Sequence, residues 1–426
     1  MSKYFLVGVK GVGMTGIAIL LKEQGHEVMG SDTSEPFFTD AILEKSNIRI
    51  VSFDPEHVSA DINEVIFSSA YNIDHPQLQK VKTLGIKTIS YNEALARMFN
   101  QKTGILVIGT HGKTTSTAML ARILEDAGLD PSVLVGGELV EWGKTARNGS
   151  GTYMVAEGDE YQAKILDLRP RYVLLTNIEY DHPDFYKTEE EYFGVFRKFL
   201  ENLSPDAVVV APNNLESFVS ASTKVKTIFF NPASEPHLQL SVWGRHNQTN
   251  AQGVIKIASR LGIPERAAQE TLKKFRGTKR RMELYTPEGA DVVIVDDYGH
   301  HPTEIRATLL AIKSHFPERK LTVYFQPHTY SRTQSFVDDF ASSFDSADHV
   351  VILDVYGSAR EKNSSFDIQT LIEKTKKHHP SVEHVPNIEE GLAHALQKSK
   401  TGSVIVTMGA GDVWRIADGL AKKLTA

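Results

Sequence analysis

A chain of 426 residues with 41% hydrophobic content is too long for one ordinary core, and it predicts two to four domains, of which we take three. Its formal net charge of −6 argues against a main task of holding nucleic acid or an anionic membrane, so phosphate is expected only in local pockets. With no cysteine, disulfides, thiolate zinc sites and a cysteine nucleophile are excluded.

The opening MSKYFLVGVKGVG has a short apolar run broken by Lys10 and glycines, without the apolar stretch or cleavage site of a signal peptide. No other run approaches the roughly 18 to 20 apolar residues of a membrane span, so the expectation is a soluble chain in the cytoplasm. Residues 4–9 (YFLVGV) predict a buried strand, followed by a glycine turn and a helix through TGIAILLKEQ that stops at Gly25. Short strands recur at HEVMG, VIFSSA and KTISY, so residues 1–101 predict a small parallel α/β unit. A second unit, 102–276, starts afresh with TGILVIGTHGKTTST, continues through the strands YMVAE, YVLLTNI and AVVVAP, and closes with the helix ERAAQETLKKF. A third, 277–426, alternates the strands DVVIVDDYG, LTVYFQP, HVVILDVY and SVIVTMG with helices. The fold class expected is therefore α/β in three domains, the first and last Rossmann-like and the middle one of P-loop ATPase type.

Gly109-Thr110-His111-Gly112-Lys113-Thr114-Thr115 lies directly after the strand ILVI and directly before a helix. In a P-loop the backbone N–H groups and the helix N-terminus hold phosphate oxygens, the lysine bridges phosphates, and the next hydroxyl faces Mg²⁺. The match departs from the strict pattern at Val107, where a glycine is expected. Two acidic clusters, Glu157–Glu160 and Asn177–His182, fall at strand ends where open α/β sheets place ligands, so Glu157 is a candidate Mg²⁺ ligand and His182 a ligand or phosphate contact. Asn247 and Asn250, at the start of a helix, offer the donor and acceptor that grip an adenine edge, and equally suit helix capping.

Two further polar clusters follow strands in the last unit, Asp296–Glu304 and Phe325–Arg332, and suggest a binding edge. A zinc reading of His300 and His301 lacks further ligands at suitable spacing. Gly8, Gly11 and Gly13 with Asp32 imitate a dinucleotide fingerprint, but the glycines are shifted and Lys10 intervenes; a nucleotide-diphosphate sugar fits as well as NAD.

In order, GVKGVGMTG, GTHGKTT, EGDE, TNIEYDH, GRHNQTN, DDYGHHPTEI, FQPHTYSRT and MGAGDVW resemble the Mur ligases over essentially the whole chain. The resemblance implies an ATP-dependent, amide-forming ligase acting through an acyl phosphate. DDYGHHPTEI and FQPHTYSRT are most similar to members that join L-alanine to UDP-N-acetylmuramate, while Glu160-Tyr161 leans toward the relative that reattaches a recycled tripeptide to the same sugar. It implies that Gly11, Gly13, Met14, Asp32 and Ser69 line the UDP-sugar site. Gly109 to Thr115 would hold the ATP phosphates, with Thr114, Glu157 and His182 on Mg²⁺. Asn247 and Asn250 would face adenine, Asp297 the ribose, and Arg281 a phosphate after domain closure. Tyr298, His301, His328 and Arg332 would line the amino-acid pocket, with His301 or His328 as general base and Lys113 as the main catalytic charge.

The chain departs from the family in two places. Lys10 stands where glycine is usual in the opening turn, and Pro212 to Gly244 is short, so a small antiparallel element is expected to be missing. Rival readings are a nicotinamide-dependent oxidoreductase, a non-catalytic nucleotide sensor and a polyglutamate ligase; none explains the P-loop lysine, the UDP-sugar opening and the late histidine motifs together.

Overall fold

A computed structural model describes residues 1–357, 361 and 365–424. The last two residues of the span expected for the third unit lie outside these. Among the described residues the chain forms three sheets flanked by helices, the mixed α/β, three-domain architecture expected.

The first sheet has the order β3-β2-β1-β4-β5, with β1 Lys3–Val7, β2 Glu27–Ser31, β3 Arg49–Val51, β4 Glu64–Phe67 and β5 Lys87–Ser90, all parallel. Phe5, Leu6 and Val7 of β1 are fully buried, as a central parallel strand covered on both faces requires. The second sheet contains β6 Thr103–Ile108, β7 Ser132–Leu139, β8 Lys144–Arg147, β9 Tyr153–Glu157, β10 Tyr172–Leu175, β11 Val208–Pro212 and β12 Lys226–Phe230, in the order β12-β11-β10-β6-β9-β7-β8. Only β8 runs antiparallel, paired with β7. The third, ordered β13-β14-β18-β15-β16-β17, contains β13 Glu283–Leu284, β14 Val292–Asp297, β15 Lys320–Phe325, β16 His349–Ile352, β17 Val382–His384 and β18 Ser403–Met408.

Contacts divide the chain into two compact units. One contains 1–179, 193–241 and 250–276 and so carries the first two sheets; the other contains 180–192, 242–249 and 277–426 and carries the third. The first two sheets are tied within their unit: Lys144 pairs with Glu23 at 2.7 Å, and Asn100 Nδ2 donates to Asp167 O at 3.0 Å.

The β7–β8 hairpin escapes the sequence reading because its apolar run is interrupted by Gly136 and Gly137. Across 212–244 the chain forms the helix Glu216–Ser222 and one parallel strand, β12. No described helix is long and apolar enough to cross a membrane.

Candidate active site

In the first unit, β6 turns through Gly109–Gly112 into the helix Lys113–Asp126. Gly112 caps that helix at φ 78°, a left-handed conformation natural to glycine, and a Cβ there would meet Asn250 Oδ1 at 2.6 Å. The loop is held from β10's end. His111 N donates to Asn177 Oδ1 and Asn177 Nδ2 donates to His111 O, both at 2.9 Å, while Thr110 Oγ1 donates to Glu179 O at 2.8 Å. A backbone clamped this way presents its N–H groups without further ordering, which is what phosphate recognition needs.

Lys113 Nζ donates to Thr110 O at 2.9 Å and to Glu160 Oε2 at 2.9 Å. Burial opposes its charge, but Glu160 more than offsets this, so the lysine is held above its usual range and stays an ammonium. Thr114 Oγ1 donates to Glu157 Oε2 at 3.0 Å, giving a hydroxyl at the start of the helix and a carboxylate at the end of β9 side by side. Two hard oxygen donors beside the Gly109–Gly112 turn have the chemistry to hold a Mg²⁺ ion that takes its remaining ligands from phosphate and water.

The glycine turn after β1 lies in the same unit. Asp32 accepts from Lys10 N at 2.8 Å, and burial raises its pKa against that bond and one from Thr33 N. The Lys10 side chain is buried and turns aside, donating to Glu35 O at 2.8 Å and pairing with Asp40 at 3.1 Å. The lysine that replaces glycine is thereby neutralised locally. Gly13 packs so closely on the ring of Tyr91 that a Cβ would stand 2.6 Å from it. Met14 is buried, Gly11 exposed, and Ser69 exposed beyond β4. Burial, then the charges of Asp159 and Glu157, raises the Tyr91 phenol, so this ring senses both the glycine turn and the acidic cluster.

The second unit gathers its polar groups at the ends of β14 and β15. Asp181 and Arg332, both about 5% exposed, pair at 2.8 Å; despite burial, Arg332 holds the aspartate well below the usual carboxylate range. His182, at φ 57°, donates its backbone N–H to Asp181 Oδ1 at 2.6 Å. His301 caps the helix Pro302–His315, its Nδ1 accepting from Thr303 N at 3.3 Å. His300 Nδ1 sits 3.1 Å from Tyr298 O, and its backbone N–H donates to Glu304 Oε2, so the two adjacent histidines are engaged separately. Burial lowers His300 to about 4 and takes His328, beside Arg332, well below its ordinary value. Arg280 and Arg281 both stack at 5.0 Å over the Tyr298 ring, and Arg281 lies 3.7 Å from Glu304. Asp297 accepts from Gly299 N and Met282 N, and burial lifts it to about 6.

The structure thus brings Lys113, Thr114, Glu157 and Asn250 together in one unit and Tyr298, His301, His328 and Arg332 in the other. The boundary falls inside the helix Arg245–Arg260, leaving Asn247 in the second unit, where its Nδ2 donates to Trp243 O at 2.7 Å. Sequence reading left several groups without roles: Glu160 as the partner of Lys113, Asn177 as the loop clamp, Asp181 as the partner of Arg332, and Arg280, which pairs with the fully buried Asp296 at 3.1 Å. Glu160, Asn177 and Asp181 lie inside noted motifs and Arg280 does not, but for all four the partner is 16 to 151 residues away, and that pairing leaves no local signal.

Comparison with known proteins agrees with this geometry. Three family models match: the Mur ligase family catalytic domain at 3–103, the Mur ligase middle domain at 107–235, and the Mur ligase glutamate ligase domain at 280–411. The chain is 34% identical to a UDP-N-acetylmuramate–L-alanine ligase of Desulfitobacterium hafniense, over 97% of this chain and 98% of that one. Among solved structures, a UDP-N-acetylmuramate-alanine ligase from Thermotoga maritima superposes with TM-score 0.85 at 25% identity, covering 100% of this chain and 99% of the other. A murein peptide ligase from Psychrobacter arcticus shares the fold at TM-score 0.75 and 24% identity, over 100% of this chain and 99% of its own. On the strength of near-complete coverage at this identity, together with the phosphate loop and the acidic and histidine motifs in order, the chain belongs to the Mur ligase family.

Proposed function

We propose that this chain joins L-alanine to the lactyl carboxylate of UDP-N-acetylmuramate, converting ATP to ADP and phosphate, in the synthesis of peptidoglycan precursors. The observation that carries the reading is the Lys113 loop, whose ammonium is held charged by Glu160 beside the Thr114–Glu157 oxygen pair, in a chain whose near-full-length relatives bear that activity's name.

The chemistry follows from where charge sits. The substrate carboxylate attacks the γ-phosphorus of ATP, ADP leaves, and an acyl phosphate forms. The amine of alanine then attacks the acyl carbon, and phosphate departs from the tetrahedral intermediate. In this reading the N–H groups of Gly109 to Thr115 cradle the phosphates, and Lys113 exchanges Glu160 for phosphate oxygens. Positioning and neutralisation supply most of the acceleration. Thr114 and Glu157 would hold Mg²⁺, with His182 as a further ligand; that ion would supply charge neutralisation on the phosphates. Asn247 and Asn250 serve adenine, Asp297 the ribose and Arg281 a phosphate, while Gly11, Gly13, Met14, Asp32 and Ser69 serve the UDP-sugar. Tyr298, His301, His328 and Arg332 receive the amino acid.

The attacking amine must lose a proton, and His301 and His328 are the bases we assign to that step. Burial and then Arg332 depress the basicity of His328. Domain limits at 101 and 276 complete the proposal.

The test is phosphate release from ATP and Mg²⁺ with UDP-N-acetylmuramate, comparing L-alanine, other amino acids and the tripeptide L-Ala-γ-D-Glu-diaminopimelate. Release strongest with L-alanine is expected. Release with the tripeptide alone would move the chain to the recycling activity.

A further inference from the structure

We propose that the far edge of the third sheet carries a second metal site, a zinc-class divalent ion held by His349, Glu383 and His394. His349 opens β16 and Glu383 sits in the middle of β17, the outermost strand, where Val351 pairs with Glu383. Residues two apart on a strand share a face, so His349, Val351 and Glu383 all point to one side. His394 comes from the helix Ile388–Lys398 that covers it.

His349 Nε2 lies 3.3 Å from Glu383 Oε1, and His394 Nε2 lies 2.9 Å from Glu383 Oε2. The three donor atoms are within 4.8 Å of one another. A tetrahedral zinc with bonds of about 2.0–2.2 Å separates its ligand atoms by about 3.3 Å, so a small contraction closes the set. Two imidazoles and a carboxylate leave a fourth position for water.

The groups behind these ligands argue for a built site. His349 Nδ1 is 2.6 Å from Ser381 Oγ, and His394 Nδ1 is 3.0 Å from the hydroxyl of Tyr324, a residue fully buried in the core. Metal-binding histidines typically have the other ring nitrogen fixed in this way, because it selects the tautomer that presents a lone pair. His349 Nε2 is itself buried and makes no hydrogen bond among the described residues. With Nδ1 donating to Ser381, that nitrogen offers its lone pair toward Glu383. His394 needs only to shift its proton from Nε2 to Nδ1, where Tyr324 oxygen can accept it.

One cation already competes: Lys398 Nζ donates to Glu383 Oε1 at 2.8 Å. Its side chain is 47% exposed, leaving it free to swing into water when a metal arrives. A bound ion would staple the edge strand β17 and its covering helix to β16. Nothing in the ligase chemistry uses these residues.

Co²⁺ serves as the probe, titrated into the full chain in excess Mg²⁺ so that oxygen-rich sites are saturated. One equivalent with the strong visible absorption of low-coordinate cobalt is expected, and Zn²⁺ should displace it. His349→Gln and Glu383→Gln should each abolish the band while phosphate release persists. Tyr324→Phe should weaken binding by roughly tenfold, and Lys398→Ala should tighten it. Absence of the band in the unaltered chain, or its persistence in both His349→Gln and Glu383→Gln, would overturn the site. Glu383 is half-exposed, so its variant reports on binding even where a histidine variant fails to fold.

Discussion

The two polar centres of this chain solve opposite electrostatic problems. In the first unit a lysine is kept charged: Glu160 holds Lys113 above its ordinary pKa despite burial, and the backbone around it is clamped by Asn177. In the second unit histidines are kept neutral: burial lowers His300 to about 4 and takes His328 well below its ordinary value, while the buried charges are locked in pairs, Asp181 with Arg332 and Asp296 with Arg280. In the reaction we propose, the centre that meets phosphate needs a permanent cation, whereas the centre that receives an amine must not repel it with imidazolium charge. The contrast teaches that one fold can separate the two demands by giving each its own sheet edge.

The largest effect should come from breaking the Asp181–Arg332 pair of the second unit. Arg332→Met leaves Asp181 buried without its partner, and a loss of about 3–5 kcal/mol in stability is expected in urea unfolding. Adding Asp181→Leu should recover part of that loss. A single variant as stable as the parent chain would show that the pair is not locked. In the first unit, Lys113→Ala should lower ATP-dependent phosphate release by roughly 10²–10³-fold, with binding of UDP-N-acetylmuramate, followed by calorimetry, largely unchanged.

The carboxylate of the second unit gives a pH signature. Asp297 is raised to about 6 by burial, so the folded chain holds its proton more tightly than the unfolded one does. That contribution to stability is complete below pH 4 and is lost as pH rises through about 6. Asp297→Asn should therefore gain on the parent chain between those values and hold a constant difference above pH 7, with an upper bound of about 3 kcal/mol at roughly 1.4 kcal/mol per pH unit. Unfolding free energies at a series of pH values, without ATP, measure this; a difference that shrinks as pH rises would refute the sign. The smallest effect is expected at the loop clamp. Asn177→Ala removes two bonds to the His111 backbone and should raise the KM for ATP about tenfold, at a cost of about 1–2 kcal/mol.

The same contrast explains what could be read in advance. The β6–loop–helix element was legible because its parts are contiguous: an apolar run, glycines at the turn, a lysine and two threonines at the helix start. The order of motifs carried the family; the strand YMVAE emerged at its observed limits, while DVVIVDDYG ran two residues past the observed end at Asp297. What escaped depends on distance in sequence. Glu160 stood in a noted acidic cluster, but its pairing with Lys113 spans 47 residues, and that of Asp181 with Arg332 spans 151. The antiparallel β8 and the edge strand β17 are short, and their pairing partners, more than composition, define them. Lys10 is instructive in another way. It departs from the family's glycine, and its ammonium is turned toward Glu35 O and Asp40, leaving its backbone N–H to bind Asp32.

The most direct test of the proposed reaction follows oxygen. With ¹⁸O in both positions of the lactyl carboxylate of UDP-N-acetylmuramate, the released phosphate should carry one ¹⁸O per turnover when L-alanine is the acceptor, because the acyl phosphate hands its bridging oxygen to the leaving group. Product formation with phosphate free of label would contradict carboxylate activation by phosphoryl transfer.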